Sequence, residues 1–184
     1  MSVAFIFPGQ GSQDIGMGKE LADAFPQARA VFEEVDAALG QKLSDLIWSG
    51  EKDELTLTAN AQPALMAVSL AALKAMESRG VDLKAGAAYV AGHSLGEYSA
   101  LAAAGSLSIA DAARLLRLRG SAMQAAVPVG VGAMAALLGL DFDVAREVAA
   151  EASAPGEVCE AANDNAPGQV VVSGHKAAVE RALE

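Results

Sequence analysis

An α/β fold built on a parallel sheet is predicted for this chain by two apolar runs and the helical segments between them. Val3-Ala4-Phe5-Ile6-Phe7 and Ala87-Ala88-Tyr89-Val90-Ala91 are continuously apolar, the pattern of strands covered on both faces. The stretch separating them carries helical spacing, and strands joined through helices lie parallel. Composition agrees. Apolar residues make up 53% of the 184 and aromatics only 4%, and an alanine-dominated set favours helices packed closely on a sheet over an all-β sandwich.

In order, Val3 to Phe7 is the first strand and Pro8 to Asp14 a loop rich in Gly and Gln. Helices are expected from Gly18 to Phe25 and from Pro26 to Leu39. Pro26 suits a first helical turn and Gly40 a C-terminal stop. Leu43 to Ser49 and Glu51 to Leu55 read as short helices. A longer one runs from Asn60 to Ser78, with Met66, Leu70, Leu73 and Met76 on one face and Gly80 as its end. The second strand follows, then a helix over Glu97 to Ala104. Ser108 is placed to N-cap a helix reaching Ala126.

After Pro128 the pattern changes. Gly132 to Leu140 reads as a strand and Asp141 opens a helix to Ser153. Glu157 to Ala162 and Gln169 to Ser173 are further strands, with a turn over Asn163 to Gly168 between them, and Lys176 begins a last helix. This β-α-β-β-α order is a ferredoxin-like unit lacking its closing strand. Two domains are therefore expected, 1–127 and 128–184. Because an unpaired sheet edge is a liability, the natural chain is expected to extend past Glu184.

A net charge of −10 argues against nucleic acid, which demands a concentrated positive surface. The single cysteine, Cys159, permits no internal disulfide and suits a small buried side chain. No basic segment precedes the first strand, so it does not read as a signal peptide. The apolar stretch from Ala64 to Leu73 is too short to span a bilayer. A cytoplasmic protein without membrane contact is expected, and no metal site is read.

The motif richest in chemistry is Gly92-His93-Ser94-Leu95-Gly96, a G-x-S-x-G between a strand and a helix. In that setting a sharp turn lifts a serine hydroxyl out of the backbone. Glycines let the turn close. The helix that follows offers free N–H groups and a positive dipole end where negative charge develops on oxygen. Ser94 is the candidate nucleophile, and a serine hydroxyl needs a base. His93 is a poor candidate, since adjacent side chains on extended backbone point apart; it reads as support for the turn. His175 reads as a surface or helix-start residue.

Arg119 stands out independently. At helical spacing it shares a face with Leu115, Leu116 and Met123, whereas Arg114 and Arg117 share a polar face with Ser121. An arginine on an apolar face must find a partner, either an internal carboxylate or a carboxylate on a substrate. Asn163 and Asn165 flank the expected turn, where asparagine is common for backbone reasons alone.

Four segments occur in order: Phe7-Pro8-Gly9-Gln10-Gly11-Ser12-Gln13, Gly92 to Ala100, Arg117-Leu118-Arg119-Gly120, and Asn163 to Gly174. Together they closely resemble the malonyl-CoA:acyl carrier protein transacylases of fatty-acid synthesis, over essentially the whole chain. The resemblance implies an α/β-hydrolase-like large domain with an inserted ferredoxin-like small domain, both incomplete here. It implies that Ser94 forms a malonyl ester, and that Gln10 and Leu95 lend backbone N–H groups to the oxyanion. Arg119 would bind the malonyl carboxylate in a bidentate pair. The Asn163–Asn165 segment would lie near the cleft. The family's histidine base and the polar group orienting it would lie beyond Glu184. Malonyl-CoA and acyl carrier protein are the implied partners. No cofactor is implied, since the carrier protein brings its own phosphopantetheine.

Two rivals stay open. A serine esterase also uses the turn, but has no need of Arg119 or of the Phe7-to-Gln13 loop. A catalytically incomplete fragment could bind acyl-CoA without turnover.

Overall fold

The computed structural model describes residues 3–128 and 130–184. Met1, Ser2 and Val129 lie outside the described residues. The chain divides into two compact units, Met1–Gln124 and Ala125–Glu184, each with its own apolar core.

In the first unit, β1 (Val3–Phe7) pairs in parallel with β2 (Ala87–Gly92), with Phe7 opposite Gly92. Between them come α1 (Lys19–Ala24), α2 (Pro26–Leu39), α3 (Leu43–Ser49), α4 (Lys52–Thr56), α5 (Thr58–Glu77) and α6 (Leu83–Gly86). Pro26 opens α2, and Gly40 closes it at φ 60°, a left-handed position that costs glycine little. The short α6 was not expected; Asp82 caps it, its Oδ1 accepting from the Ala85 N–H at 3.0 Å. After β2 come α7 (Leu95–Ala103) and α8 (Ile109–Ala126). Ser108 caps α8 as expected, its Oγ accepting from the Asp111 N–H at 3.0 Å.

Helix α5 is central. Ala61, Ala64, Leu65, Met66, Ala67, Leu70, Ala71, Leu73 and Ala75 are all buried, against α2 and α3 residues such as Phe32, Val35 and Ile47. Phe32 meets Trp48 edge to face, with centroids 5.1 Å apart. Met76 departs from the expected apolar face and is exposed.

The strands depart further. Both were expected to be covered on both faces, yet Ile6 is 77% and Tyr89 74% exposed, while Phe7 is buried and Phe5 and Val90 pack on the helical core. Phe5 and Phe7 share one face of β1 and Ile6 takes the other, while Val90 and Tyr89 take opposite faces of β2. A continuously apolar run does not reveal this.

In the second unit, β3 (Gly132–Leu138), α9 (Phe142–Ala152), β4 (Cys159–Ala166), β5 (Gln169–His175) and α10 (Lys176–Arg181) follow in order. The strands form an antiparallel sheet ordered β3-β5-β4. Leu137, Val170, Val172, Ala145, Ala149 and Val179 form its core. Cys159 is buried there, and burial pushes its thiol pKa above the usual value. The expected turn over Asn163 to Gly168 is corrected. Asn163, Asp164 and Ala166 are paired within β4, and the turn shrinks to Pro167-Gly168. Two register shifts, between Ala161 and Asn163 and between Asp164 and Ala166, are bulges that absorb the extra residues. Gly168, at φ 75°, supplies the left-handed turn position.

Among the described residues no helix is long and apolar enough to cross a membrane.

Candidate active site

Backbone hydrogen bonds fix the turn after β2. The His93 N–H donates to the Phe7 carbonyl at 3.1 Å, tying the end of β2 to β1. The Gly96 N–H then donates to the His93 carbonyl at 2.8 Å, and α7 starts at Leu95 without a linker. Ser94 is therefore forced to φ 54°, ψ −110°, and among the described residues it alone has positive φ without being glycine. Such a conformation costs about 1–3 kcal/mol and persists only when its surroundings over-determine it. Both glycines of the motif are required by space. A Cβ on Gly92 would overlap the Gly96 carbonyl, and one on Gly96 would overlap the Phe7 carbonyl.

The first-strand loop runs beside this turn. A Cβ on Gly9 would strike His93 Nδ1, and the Pro8 carbonyl lies against Gly96. Gln10 follows and is exposed. Leu95 sends its side chain into the core, 1% exposed. As the first residue of α7 it carries one of the N–H groups that helix geometry leaves without an internal acceptor.

Ser94 Oγ accepts a hydrogen bond from Arg119 Nη2 at 2.8 Å. Arg119 Nη1 donates to Gln62 Oε1 at 2.7 Å, and Gln62, 1% exposed, turns its Nε2 toward Met123 Sδ at 3.3 Å. Close contact of two helices makes this reach possible. A Cβ on Gly120 would sit 2.5 Å from the Thr58 carbonyl and 2.7 Å from Ala59 Cα, so α8 touches the start of α5 backbone to backbone.

One expectation about α8 is corrected. Arg119 does not sit on a buried apolar stripe, because Leu115 and Met123 are exposed and only Leu116 is fully buried. Of the two partners considered, the internal carboxylate is not found: among the described residues Arg119 makes no ion pair, and its guanidinium donates to the neutral amide of Gln62 and to Ser94. Arg117, expected on a polar face with Arg114, does have polar partners but is less exposed than Arg114. It is half-buried, donating to Asn60 Oδ1 and, at 2.9 Å, to Gln41 Oε1, and burial holds its guanidinium pKa below the usual value. Arg114 does behave as a surface residue, paired with Asp111 at 3.0 Å.

His93 is exposed and pinned by its own backbone N–H and carbonyl. His175, in the second unit, stands at the N-cap position of α10 without a side-chain capping bond, and its Nδ1 accepts from the Val158 N–H at 2.9 Å. Asn163 and Asn165 are exposed on β4 of that unit, where Asn165 lines a cleft of about 350 Å³ with Asp141, Phe142 and Asp164. Sequence reasoning missed Asn60 and Gln62. Their signal was present as two amides in an otherwise apolar alanine-rich helix, where a buried polar group must have a partner.

A serine at positive φ between a parallel strand and a helix puts the chain in the mixed α/β class whose strand turns straight into a helix through a serine. Within that class the chain belongs to the acyl transferase domain family, whose profile matches residues 4–184. It is 50% identical over 182 residues to the malonyl CoA-acyl carrier protein transacylase of Bacillus subtilis, covering 99% of this chain and 56% of that protein. The crystal structure of an acyl-carrier-protein-S-malonyltransferase from Bartonella henselae superposes with TM-score 0.92 at 60% identity, over 100% of this chain and 58% of that one. A type II PKS acyl-carrier protein in complex with its malonyl-transacylase matches with TM-score 0.89 at 45% identity, over 99% of this chain and 58% of that one. The chain thus spans a little over half the length of these relatives.

Proposed function

We propose that the protein to which this chain belongs moves a malonyl group from coenzyme A to the phosphopantetheine thiol of acyl carrier protein, in fatty-acid biosynthesis, through a malonyl ester on Ser94. The observation that carries this reading is the 2.8 Å hydrogen bond from Arg119 to Ser94 Oγ, made by a guanidinium whose other partner is neutral. A charge left uncancelled beside a nucleophile suits an acyl group that brings its own carboxylate. A simple ester would leave that charge without an anion, which disfavours the esterase reading.

In the first half-reaction Ser94 Oγ attacks the thioester carbonyl and gives up its proton. The oxygen of the tetrahedral adduct takes the backbone N–H groups of Leu95 and Gln10, and the thiolate of coenzyme A leaves and is protonated. In the second, the carrier-protein thiol attacks the serine ester, the proton returns to Ser94 Oγ, and the malonyl thioester departs. The proton acceptor we infer is the family's histidine, in the part of the relatives' length that this chain does not span. Arg119 holds the malonyl carboxylate through both halves, and Asn163 and Asn165 serve the substrate cleft. No cofactor is invoked.

The finer fold reading belongs with this function: a hydrolase-like domain over 1–127 and a ferredoxin-like one over 128–184. The order β3-β5-β4 with two helices supports the second. The same reading places the protein in the cytoplasm, with coenzyme A and the carrier protein.

Mass spectrometry of the intact protein after incubation with malonyl-CoA tests the proposal. A malonyl adduct on the Ser94 peptide, discharged by holo carrier protein, is expected. An adduct on another residue, or equal labelling by acetyl-CoA, overturns it.

A further inference from the structure

Arg119 can meet a substrate carboxylate only if α8 is held at one register against α5, and the apolar grip on α8 is small. Its buried residues are Ala112, Ala113, Leu116 and Gly120. One leucine and three small residues permit close approach, yet they offer few ridges to resist sliding or rotation. Polar attachments supply what packing lacks. Near the start of α8, the Ala110 N–H donates to Glu34 Oε1 on α2 at 3.2 Å. In its middle, Arg117 spans two elements, donating through Nη1 to Asn60 on α5 and through Nη2 to Gln41 just after α2. Asn60 is buried and spoken for on its other side, its Nδ2 donating to the Glu54 carbonyl of α4 at 2.8 Å.

Two arginines two residues apart on α8 thus meet two amides two residues apart on α5, Arg117 with Asn60 and Arg119 with Gln62. Successive rungs of this kind fix both translation and rotation of one helix on another. The first rung is the stronger anchor. It uses both arms of a rigid planar fork, and it holds a half-buried guanidinium whose burial disfavours charge, with no ion-pair partner among the described residues. A cation kept in an all-amide cage contributes little net stability. What it contributes is direction.

We propose that Arg117 is a positioning residue for acyl selectivity: its clamp on Asn60 and Gln41 sets the register of α8 and thereby holds Arg119 on Ser94. The proposal rests on the reading of Arg119 as the carboxylate-binding residue.

The test measures kcat/KM for malonyl-CoA and acetyl-CoA in the intact protein, with melting temperature alongside. Arg117→Met is expected to lower the malonyl/acetyl ratio about tenfold. Arg117→Lys is expected to leave it low, because a point charge cannot bridge two amides as a fork does. In an Arg119→Ala background, Arg117→Met should change the ratio no further, since the two act through one contact. Gln41→Ala, at the exposed arm of the clamp, shifts the ratio in the same direction by less and serves if Arg117→Met does not fold. An equal fall for both substrates, full rescue by lysine, or an undiminished effect in the Arg119→Ala background overturns the proposal. If Arg119→Ala itself leaves the ratio unchanged, the carboxylate reading falls first and this one with it. If Arg119→Ala changes the ratio and Arg117→Met does not, only the positioning role is lost.

Discussion

The guanidinium of Arg119 donates to the hydroxyl of Ser94 across 2.8 Å, from the helix that follows the one Ser94 precedes. The contact places a permanent positive charge on the oxygen that would carry the acyl group. It brings together two residues read separately from the sequence, one from a turn motif and one from helical spacing.

Replacing Ser94 separates chemistry from strain. Both Ser94→Ala and Ser94→Gly are expected to abolish malonyl labelling. Glycine adopts positive φ without penalty, so the glycine variant should be more stable than the alanine one by about 1 kcal/mol. Urea unfolding of the two proteins, with labelling as control, checks this. An alanine variant at least as stable as the glycine one would mean that the turn holds no strain.

Removing Arg119 should act on one substrate. Arg119→Ala is expected to lower malonyl kcat/KM about a hundredfold, the scale of losing a charge-assisted pair. Acetyl transfer should fall far less or rise. Equal losses would make Arg119 a structural residue.

Gly120 reports on helix approach. A methyl group there would sit 2.5 Å from the Thr58 carbonyl, which is backbone and cannot swing away. Gly120→Ala is therefore expected to destabilise by about 1–3 kcal/mol. It should also cost malonyl transfer more than acetyl transfer, because α8 must lift from α5. Thermal melts and paired substrate assays read both effects. A variant of unchanged stability would mean that the two helices do not touch at this point.

Acid pH should weaken the join of α1 and α2. Asp23 accepts from Lys19 at 3.0 Å and from Arg29, and these partners hold its pKa below 3.8. A carboxylate lowered on folding stabilises above its unfolded pKa, and that stability disappears as pH falls through the folded value. NMR titration of Asp23 should therefore give a midpoint below 3.8 that rises toward it with added salt. A midpoint at or above 3.8 would contradict the ion pairs.

Much of the fold was legible because its punctuation is local. Pro26 and Gly40 bound α2, and Ser108 caps α8, each through its own backbone chemistry. What was not legible depends on partners distant in sequence. Helical spacing groups Arg119 with Leu115 and Met123 but does not say which face of α8 is covered. Here the covered face is marked by alanines and a glycine, too small to stand out. Asn163 to Ala166 carry turn composition yet pair with β5, because bulges let asparagine and aspartate ride in a strand. Ser94, Gly92 and Gly96 were read from the motif alone, whereas Gln62 and Asn60 gained meaning only once α5 and α8 were seen to touch.

The left-handed backbone at Ser94 also restricts which nucleophiles this scaffold can evolve. A threonine hydroxyl is chemically close to that of serine, but its branched Cβ would crowd a φ of 54° that serine already tolerates poorly. Cysteine adds no branch and fits the same turn. Drift at this position is thus channelled toward a change of element, oxygen to sulfur, and closed to the addition of a single methyl group.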